Sequence, residues 1–257
     1  MNPLVGLLPT PFDTIVWNFV MGGIVALVYI FTVIGLMDKA VEKGFPADLS
    51  RKIIHIAAGS WIWIWPLMDP SNWSYIFNIA VALLWTMLFV KLGTKGSPDD
   101  TAVKTMTRTG NPKELLKGPL YFTLAMEFVG IFYFMNFIGV IAMAMLGWGD
   151  GLAPYIGKKY GAHKYKLLGR EKTIEGSLTV FFVSVFAAFL FVTWMFGIPT
   201  TNMILWIILL ALIGTIVEAV SPADIDNILI PLVIIIVCIL FAPLLPAGVN
   251  PYPSVIL

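Results

Sequence analysis

The sequence predicts an all-α protein, a polytopic membrane bundle of about eight transmembrane helices with both termini on the non-cytoplasmic side. Three observations predict it. Of 257 residues, 59% are hydrophobic and only 12% charged, about half the charged fraction of an ordinary soluble domain. The mean hydropathy is +0.89, so the chain cannot cover its own surface with polar groups in water. The 16 basic residues all fall in three windows, 38–52, 91–117 and 158–172, which hold seven acids and carry a net +9. The whole chain is +1, which excludes a uniformly basic nucleic-acid binder.

Apolar stretches between these windows give the spans, at about 15–37, 53–68, 73–92, 118–134, 137–157, 174–196, 202–219 and 228–246. The first opens after MNPLVGLLPTPFD, which lacks the basic region of a cleavable signal peptide. Trp17, then Trp61, Trp63, Trp65 and Trp73, sit near span ends, as aromatic belts do. Residues 93–117 are Gly/Pro/Thr-rich and read as a mobile loop ending in a short interfacial helix. The stretch 118–157 is too long for one crossing of about 20 residues, and Asn136 is its turn. With that split, all three basic windows lie on one side, the cytoplasmic one by the positive-inside rule. The connection with Asp224 and Asp226 joins them by parity. Cys238, inside an apolar run, is a buried, inert thiol, and no soluble domain is expected: residues 1–257 form one membrane-embedded unit.

Acids within or at the edge of hydrocarbon are costly, so Glu127, Asp150, Glu175 and Glu218 are each candidate site residues. Asp150 stands in Gly147-Trp148-Gly149-Asp150-Gly151, where Gly149 and Gly151 let a phosphate or another backbone approach. It lies about 10 Å from the cytoplasmic end of its span at 1.5 Å per residue. Small-residue helix packing is the competing explanation. The next segment, with Lys158, Lys159, Lys164, Lys166, Arg170 and Lys172 among glycines, suits polyphosphate, although anionic lipid attracts such runs too. Thr173 and Glu175 fit capping roles at the start of a helix; Lys172 does not. Glu218, Asp224, Asp226 and Asn227 supply oxygen ligands of the kind Mg²⁺ takes, or else a solvated acidic turn. Arg51 and His55 share a helical face at the start of the second span, where snorkelling explains Arg51 and Lys52 as well. Glu127 either orients a substrate hydroxyl or bridges helices. The absence of a Walker motif, of the protein-kinase HRD and DFG set, of HExxH and of CxxC excludes those architectures.

In order, Arg51-Lys52-x-x-His55, Gly149-Asp150-Gly151-x-Ala153-x-x-x-Gly157-x-x-x-Gly161, Lys172-Thr173-x-Glu175-Gly176-Ser177 and Glu218-Ala-x-x-Pro-x-x-Ile-Asp226-Asn227-x-x-x-Pro231 resemble the CTP-dependent lipid kinases. That family includes dolichol kinase, phytol kinase and the CTP-using diacylglycerol kinase. The match covers about residues 51–231, the expected catalytic core. The Gly-Asp and Lys-Thr-x-Glu-Gly motifs also look like those of phosphatidate cytidylyltransferases, but the long C-terminal signature of those enzymes is missing.

The resemblance implies CTP as phosphoryl donor, Mg²⁺ as cofactor and a membrane lipid alcohol (a dolichol or polyprenol, phytol or geranylgeraniol, or diacylglycerol) as acceptor. It implies Asp150, His55 and Lys172 as catalytic residues. Arg51, Lys52, Gly149, Gly151, Lys158, Lys159, Arg170, Gly176 and Ser177 are then the nucleotide and phosphate contacts, and Asp150, Glu218 and Asp226 the metal ligands. The expected setting is the cell membrane, or an ER or plastid membrane in a eukaryote, with the site facing the cytoplasm and no nucleic-acid partner; a homo-oligomer is compatible with it. A cytidylyltransferase making a CDP-activated lipid is the first alternative, and a small transporter or lipid-binding protein the second. The lack of internal repeats counts against transport.

Overall fold

The computed structural model describes residues 14–253 apart from Arg108, Leu168, Gly169 and Ala223. The chain is a helical membrane bundle. Helix α1 (Thr14–Glu42) carries a π-turn over Val20–Val25. Helix α2 (47–67) opens after Pro46 with Asp48 in its first turn, as the helix dipole favours, and tightens to 3₁₀ geometry from Ser60 toward Pro66. Helix α3 (Trp73–Lys95) is capped by Asn72, which accepts from the Ser74 amide. A short α4 (Thr101–Met106) and a 3₁₀ turn (Pro112–Leu116) lead into α5 (Gly118–Phe132).

Asn136 is the break in the long apolar stretch: its side chain caps α6 (Phe137–Tyr160) by accepting from the Ile138 amide at 2.9 Å. Two antiparallel strands follow, β1 (Lys164–Leu167) and β2 (Arg170–Thr173), with Tyr165 opposite Lys172. Thr173 ends β2 and caps α7 (Ile174–Phe196), accepting from the Gly176 amide at 3.1 Å. Helix α8 (Thr201–Val220) stops at Ser221-Pro222, and α9 (Asp226–Leu240) completes the bundle.

Among the described residues, six helical stretches are long and apolar enough to cross a membrane: α1, α3, α5 with its preceding turn, α6, α7 and α8. Of the two other expected spans, α9 is apolar but only 15 residues long, and α2 carries Asp48, Arg51, Lys52 and His55 in its first half. The packing centre is α6, whose segment Ile138–Leu146 is within 1% of full burial and lies against α7 and α9. Residues 93–117 are not a loose loop. Val103 and Leu115 are fully buried beside Phe89 of α3, and a Cβ on Gly93 would meet the Leu116 side chain at 2.5 Å.

Among the described residues, the small hairpin is the one departure from an all-helical chain. Its alternation of Tyr165 and Leu167 with Lys164 and Lys166 is a strand period, hidden within what reads as a basic loop.

Candidate active site

Asp150 sits where α6 leaves a π-turn, Met145–Gly149. Single π-turns inserted in helices are frequent at functional sites. Here the Asp150 amide bonds back to the Met145 carbonyl, and the Leu146 carbonyl lies 3.2 Å from His55 Nε2. A carbonyl only accepts, so this bond requires the proton on Nε2, which also lies 3.9 Å from Asp150 Oδ2. The close approach of α2 and α6 rests on facing glycines: a Cβ on Gly59 would fall 2.4 Å from the Gly147 Cα. Phe122 of α5 covers the other side of the imidazole at 4.3 Å between ring centres.

Opposite Asp150, Glu218 at the end of α8 and Asp226 at the start of α9 are 7% and 8% exposed. Each of the three offers an oxygen, and these oxygens lie within 4.8 Å of one another. Lys172 reaches in from β2: Nζ is 2.5 Å from Glu218 Oε1 and also donates to the Glu218 backbone carbonyl. Their side chains are 13% and 9% exposed, so this is a buried ion pair. Asn227 donates through Nδ2 to the carbonyls of Gly118 and Asp224, 3.3 Å each. Its Oδ1 is buried with no hydrogen-bond partner, an acceptor left over in a residue that lines the same cavity. Asp224 holds a left-handed backbone (φ 67°), and its carboxylate lies where a Cβ on Gly118 would stand, 2.9 Å away.

These groups form the polar end of one cavity of about 900 Å³, whose other end is lined by Ile30, Trp61, Ala82, Trp85 and Met126. Its mouth is bridged by a chain of contacts. Lys158 meets Asp48 at 3.2 Å, Asp48 meets Arg51 at 2.9 Å, and Arg51 donates to the Thr107 carbonyl at 3.2 Å. Lys52, Lys164, Glu171, Gly176 and Ser177 also line it. The Ser177 hydroxyl is 2.5 Å from that of Tyr165. In the hairpin, the hydrogen bond from Lys164 (2.7 Å) holds the Glu171 carboxyl below its usual range, and Glu171 raises the Lys164 ammonium in return.

The structure therefore gathers Asp150, His55, Lys172, Glu218, Asp226, Arg51, Lys52, Lys158, Gly176 and Ser177 around one space. It does not bring in Gly149, Gly151 or Lys159. A Cβ on Gly149 would meet Ser184 Oγ of α7 at 2.2 Å, and one on Gly151 would meet His55 Cδ2 at 2.9 Å, so both glycines serve close packing. Lys159 lies exposed over the rings of Tyr155 and Tyr160, 5.5 and 5.2 Å from their centres. The Arg170 backbone pairs with Leu167, but its side chain lies outside the described residues. Glu175 holds the His163 ring at 2.6 Å and Thr173 caps α7, both local structural tasks. Glu127 accepts from Thr86, which lies 2.6 Å from Thr123, bridging α3 and α5. Asp224, expected among the oxygen donors, lines the cavity too, whereas Asp48 is a lining residue that sequence reading does not single out as a ligand. The position of Asp48 as a first-turn acid of α2 is the signal that hints at it.

The cavity joins acidic and basic residues to apolar ones. Over 221 residues the chain is 31% identical to the probable chloroplastic phytol kinase of Zea mays, covering 82% of this chain and 72% of that protein. The chain belongs to the polyprenol kinase family of phytol and farnesol kinases. Chloroplastic phytol kinase 1 of Arabidopsis thaliana is 31% identical over 226 residues, 84% of this chain and 72% of its own length. The chloroplastic farnesol kinase of the same plant is 28% identical over 205 residues, 77% and 66% of the two chains. No protein-family model and no solved structure matches the chain.

Proposed function

We propose that the protein is a CTP-dependent kinase that phosphorylates the hydroxyl of a membrane-dwelling isoprenoid alcohol of the phytol, farnesol or geranylgeraniol type. The observation that carries this reading is the meeting of Asp150, Glu218, Asp226 and Lys172 at the polar end of a cavity whose other end is apolar. Phosphoryl transfer needs positioned charge more than covalent help from the protein, and a lipid alcohol needs a place for its tail beside that charge.

The donor set fits Mg²⁺. All three groups are carboxylates with oxygens in mutual reach, Asn227 of the same cavity carries an unpaired Oδ1, and hard divalent cations take oxygen ligands. Asp150, Glu218 and Asp226 would hold the ion, which when bound neutralises charge on the donor phosphates. Arg51, Lys52, Lys158 and Lys164 present cations along the mouth, where a triphosphate would lie. Lys172 holds Glu218 in place and adds a positive charge within the acidic cluster. In the reaction, the alcohol oxygen forms a bond to the γ-phosphorus as the bond from that phosphorus to the β–γ bridging oxygen breaks. CDP leaves with the electron pair. The hydroxyl proton passes to a carboxylate, for which Asp150 is the candidate. His55 gives its Nε2–H to the Leu146 carbonyl and stands 3.9 Å from Asp150 Oδ2, so it borders that carboxylate and does not act as a base through the same nitrogen.

Elements from all three basic windows line this end of the cavity: Arg51 and Lys52, then Met106 and Glu114, then Lys158, Lys164 and Lys172. The positive-inside rule therefore supports a site open to the cytoplasmic or equivalent compartment. The test is the purified protein in vesicles with Mg²⁺, each of the four common nucleoside triphosphates, and phytol, geranylgeraniol or diacylglycerol. The reading expects an isoprenoid monophosphate made with CTP; turnover of diacylglycerol alone, or equal use of all four nucleotides, contradicts it.

A further inference from the structure

The cavity's apolar arm is too short to hold an isoprenoid tail. Its floor is closed by Trp61, Ala26, Ala82 and Met126, none more than 4% exposed, and the Trp61 indole is fixed by donating to the Asn78 carbonyl at 2.7 Å. From His55 beside the acidic cluster to Trp61 is six residues along α2, about 9 Å of helix. A phytol-length chain resembles an ordinary lipid tail, which spans half of a hydrocarbon core about 30 Å thick, or roughly 15 Å. The rest of the tail has to leave the cavity.

The way out lies between α1 and α3. In the half of the bundle away from the site these helices are locked together. Asn18 bonds Ser74 at 2.9 Å, Phe19 packs on Phe77 at 5.3 Å, and a Cβ on Gly22 would fall 2.6 Å from the Phe77 backbone. Toward the site they part. The cavity is lined there by Ile30 and Ile34 on one side and by Trp85 and Phe89 on the other. The gap is spanned by the Phe31 and Trp85 rings, 6.0 Å apart. Phe31 is 53% exposed on the membrane-facing surface. A buried indole N–H normally finds a partner, yet Trp85 Nε1 has none. That ring can therefore turn without breaking a hydrogen bond. At the head of the gap, Val103 and Leu115 are fully buried beside Phe89, which closes the alternative exit along the end of α3.

We propose that the gap between α1 and α3 is the lateral portal for the lipid acceptor, with the Phe31–Trp85 pair as its door. The hydroxyl reaches the carboxylates, the first part of the chain fills the apolar arm, and the remaining tail lies out between the two helices in the leaflet beside the site. This rests on the isoprenoid-alcohol reading above. It makes the enzyme sensitive to the chain near the hydroxyl and tolerant of total chain length.

The test uses the full-length protein in vesicles, with Phe31→Cys and Trp85→Cys joined by a short, reducible bifunctional thiosulfonate. The native Cys238 is fully buried and stays silent. Cross-linking is expected to lower geranylgeraniol phosphorylation by about tenfold or more and reduction to restore it. Dimethylallyl alcohol, too short to reach the gap, should keep the rate that the same double variant shows before cross-linking. Unchanged geranylgeraniol turnover after cross-linking overturns the portal and leaves the kinase reading standing. If the native protein phosphorylates neither alcohol, the kinase reading fails. The portal is then decided by a geranylgeraniol analogue with a photoreactive diazirine at the far end of its tail. Labelling within 26–34 and 81–89 supports it, and labelling confined to α7 and α8 overturns it.

Discussion

Replacing Lys172 by Met removes one half of a buried ion pair and leaves its length and apolar stem in place. The pair is 2.5 Å long, its members are 13% and 9% exposed, and Glu218 shares a 4.8 Å neighbourhood with two further carboxylates. Removing one partner of a buried pair costs about 3–5 kcal/mol, since the remaining charge stays desolvated. At about 2–4 °C per kcal/mol for a chain of this size, that is a fall in Tm of roughly 6–20 °C. The carboxylate cluster makes a sharper distinction. Millimolar Mg²⁺ should raise the Tm of Lys172→Met by more than it raises that of the native protein, because the cation then supplies charge that Lys172 no longer does. The double variant Lys172→Met/Glu218→Gln, with neither charge, should lie closer to native than Lys172→Met alone. Thermal unfolding of detergent-solubilised protein, followed with and without Mg²⁺ and without nucleotide, measures all three. A metal-free Tm for Lys172→Met within about 2 °C of native, or an equal Mg²⁺ shift in both proteins, refutes the reasoning.

Asp226→Asn should weaken Mn²⁺ binding at least about tenfold, read by electron paramagnetic resonance without nucleotide; native-like affinity would remove Asp226 from the metal set. Asp150→Asn should lower lipid phosphorylation by about a hundredfold or more while the protein still inserts and keeps its helical circular dichroism, and near-normal activity would displace the catalytic centre from Asp150. Gly59→Leu drives a side chain into Gly147, whose Cα would lie 2.4 Å from the new Cβ, and should destabilise the α2–α6 contact by about 1–3 kcal/mol or more. An unchanged Tm would show that the helices can part there freely. Tyr165→Phe removes the bond to Ser177, a loss of about 0.5–1.5 kcal/mol, and should speed amide exchange in residues 164–167 and 171–173; identical exchange would deny the hairpin that anchor.

The bundle was readable because bilayers impose two separate demands, long apolar runs and basic loops on one side, and this chain meets both. Asn136 was readable as a break because an Asn in an apolar run does better capping a helix than lying inside one. Asp150 and Glu218 stood out for a related reason: carboxylates at a membrane edge need partners, and here they lie together with Asp226 of the acidic turn. What stayed hidden depends on phase and on distant contacts. The π-turn at Met145–Gly149 adds a residue to the helical turn, so counting along the sequence misjudges which way Gly149 and Gly151 face. They pack on Ser184 and His55 rather than lining the cavity. Lys172 and Glu218 lie 46 positions apart, and nothing local joins them. Val103 and Leu115 are isolated apolar residues in a polar stretch, which acquire meaning only against Phe89.

The central claim is that the γ-phosphoryl group of CTP ends on the lipid alcohol. Its most direct measurement supplies the purified protein with geranylgeraniol, Mg²⁺ and CTP labelled at either the α- or the γ-phosphorus. The account predicts γ-label in the extracted lipid and α-label retained in soluble CDP. Lipid carrying the α-label would make the protein a cytidylyltransferase, and lipid carrying neither would contradict the account outright.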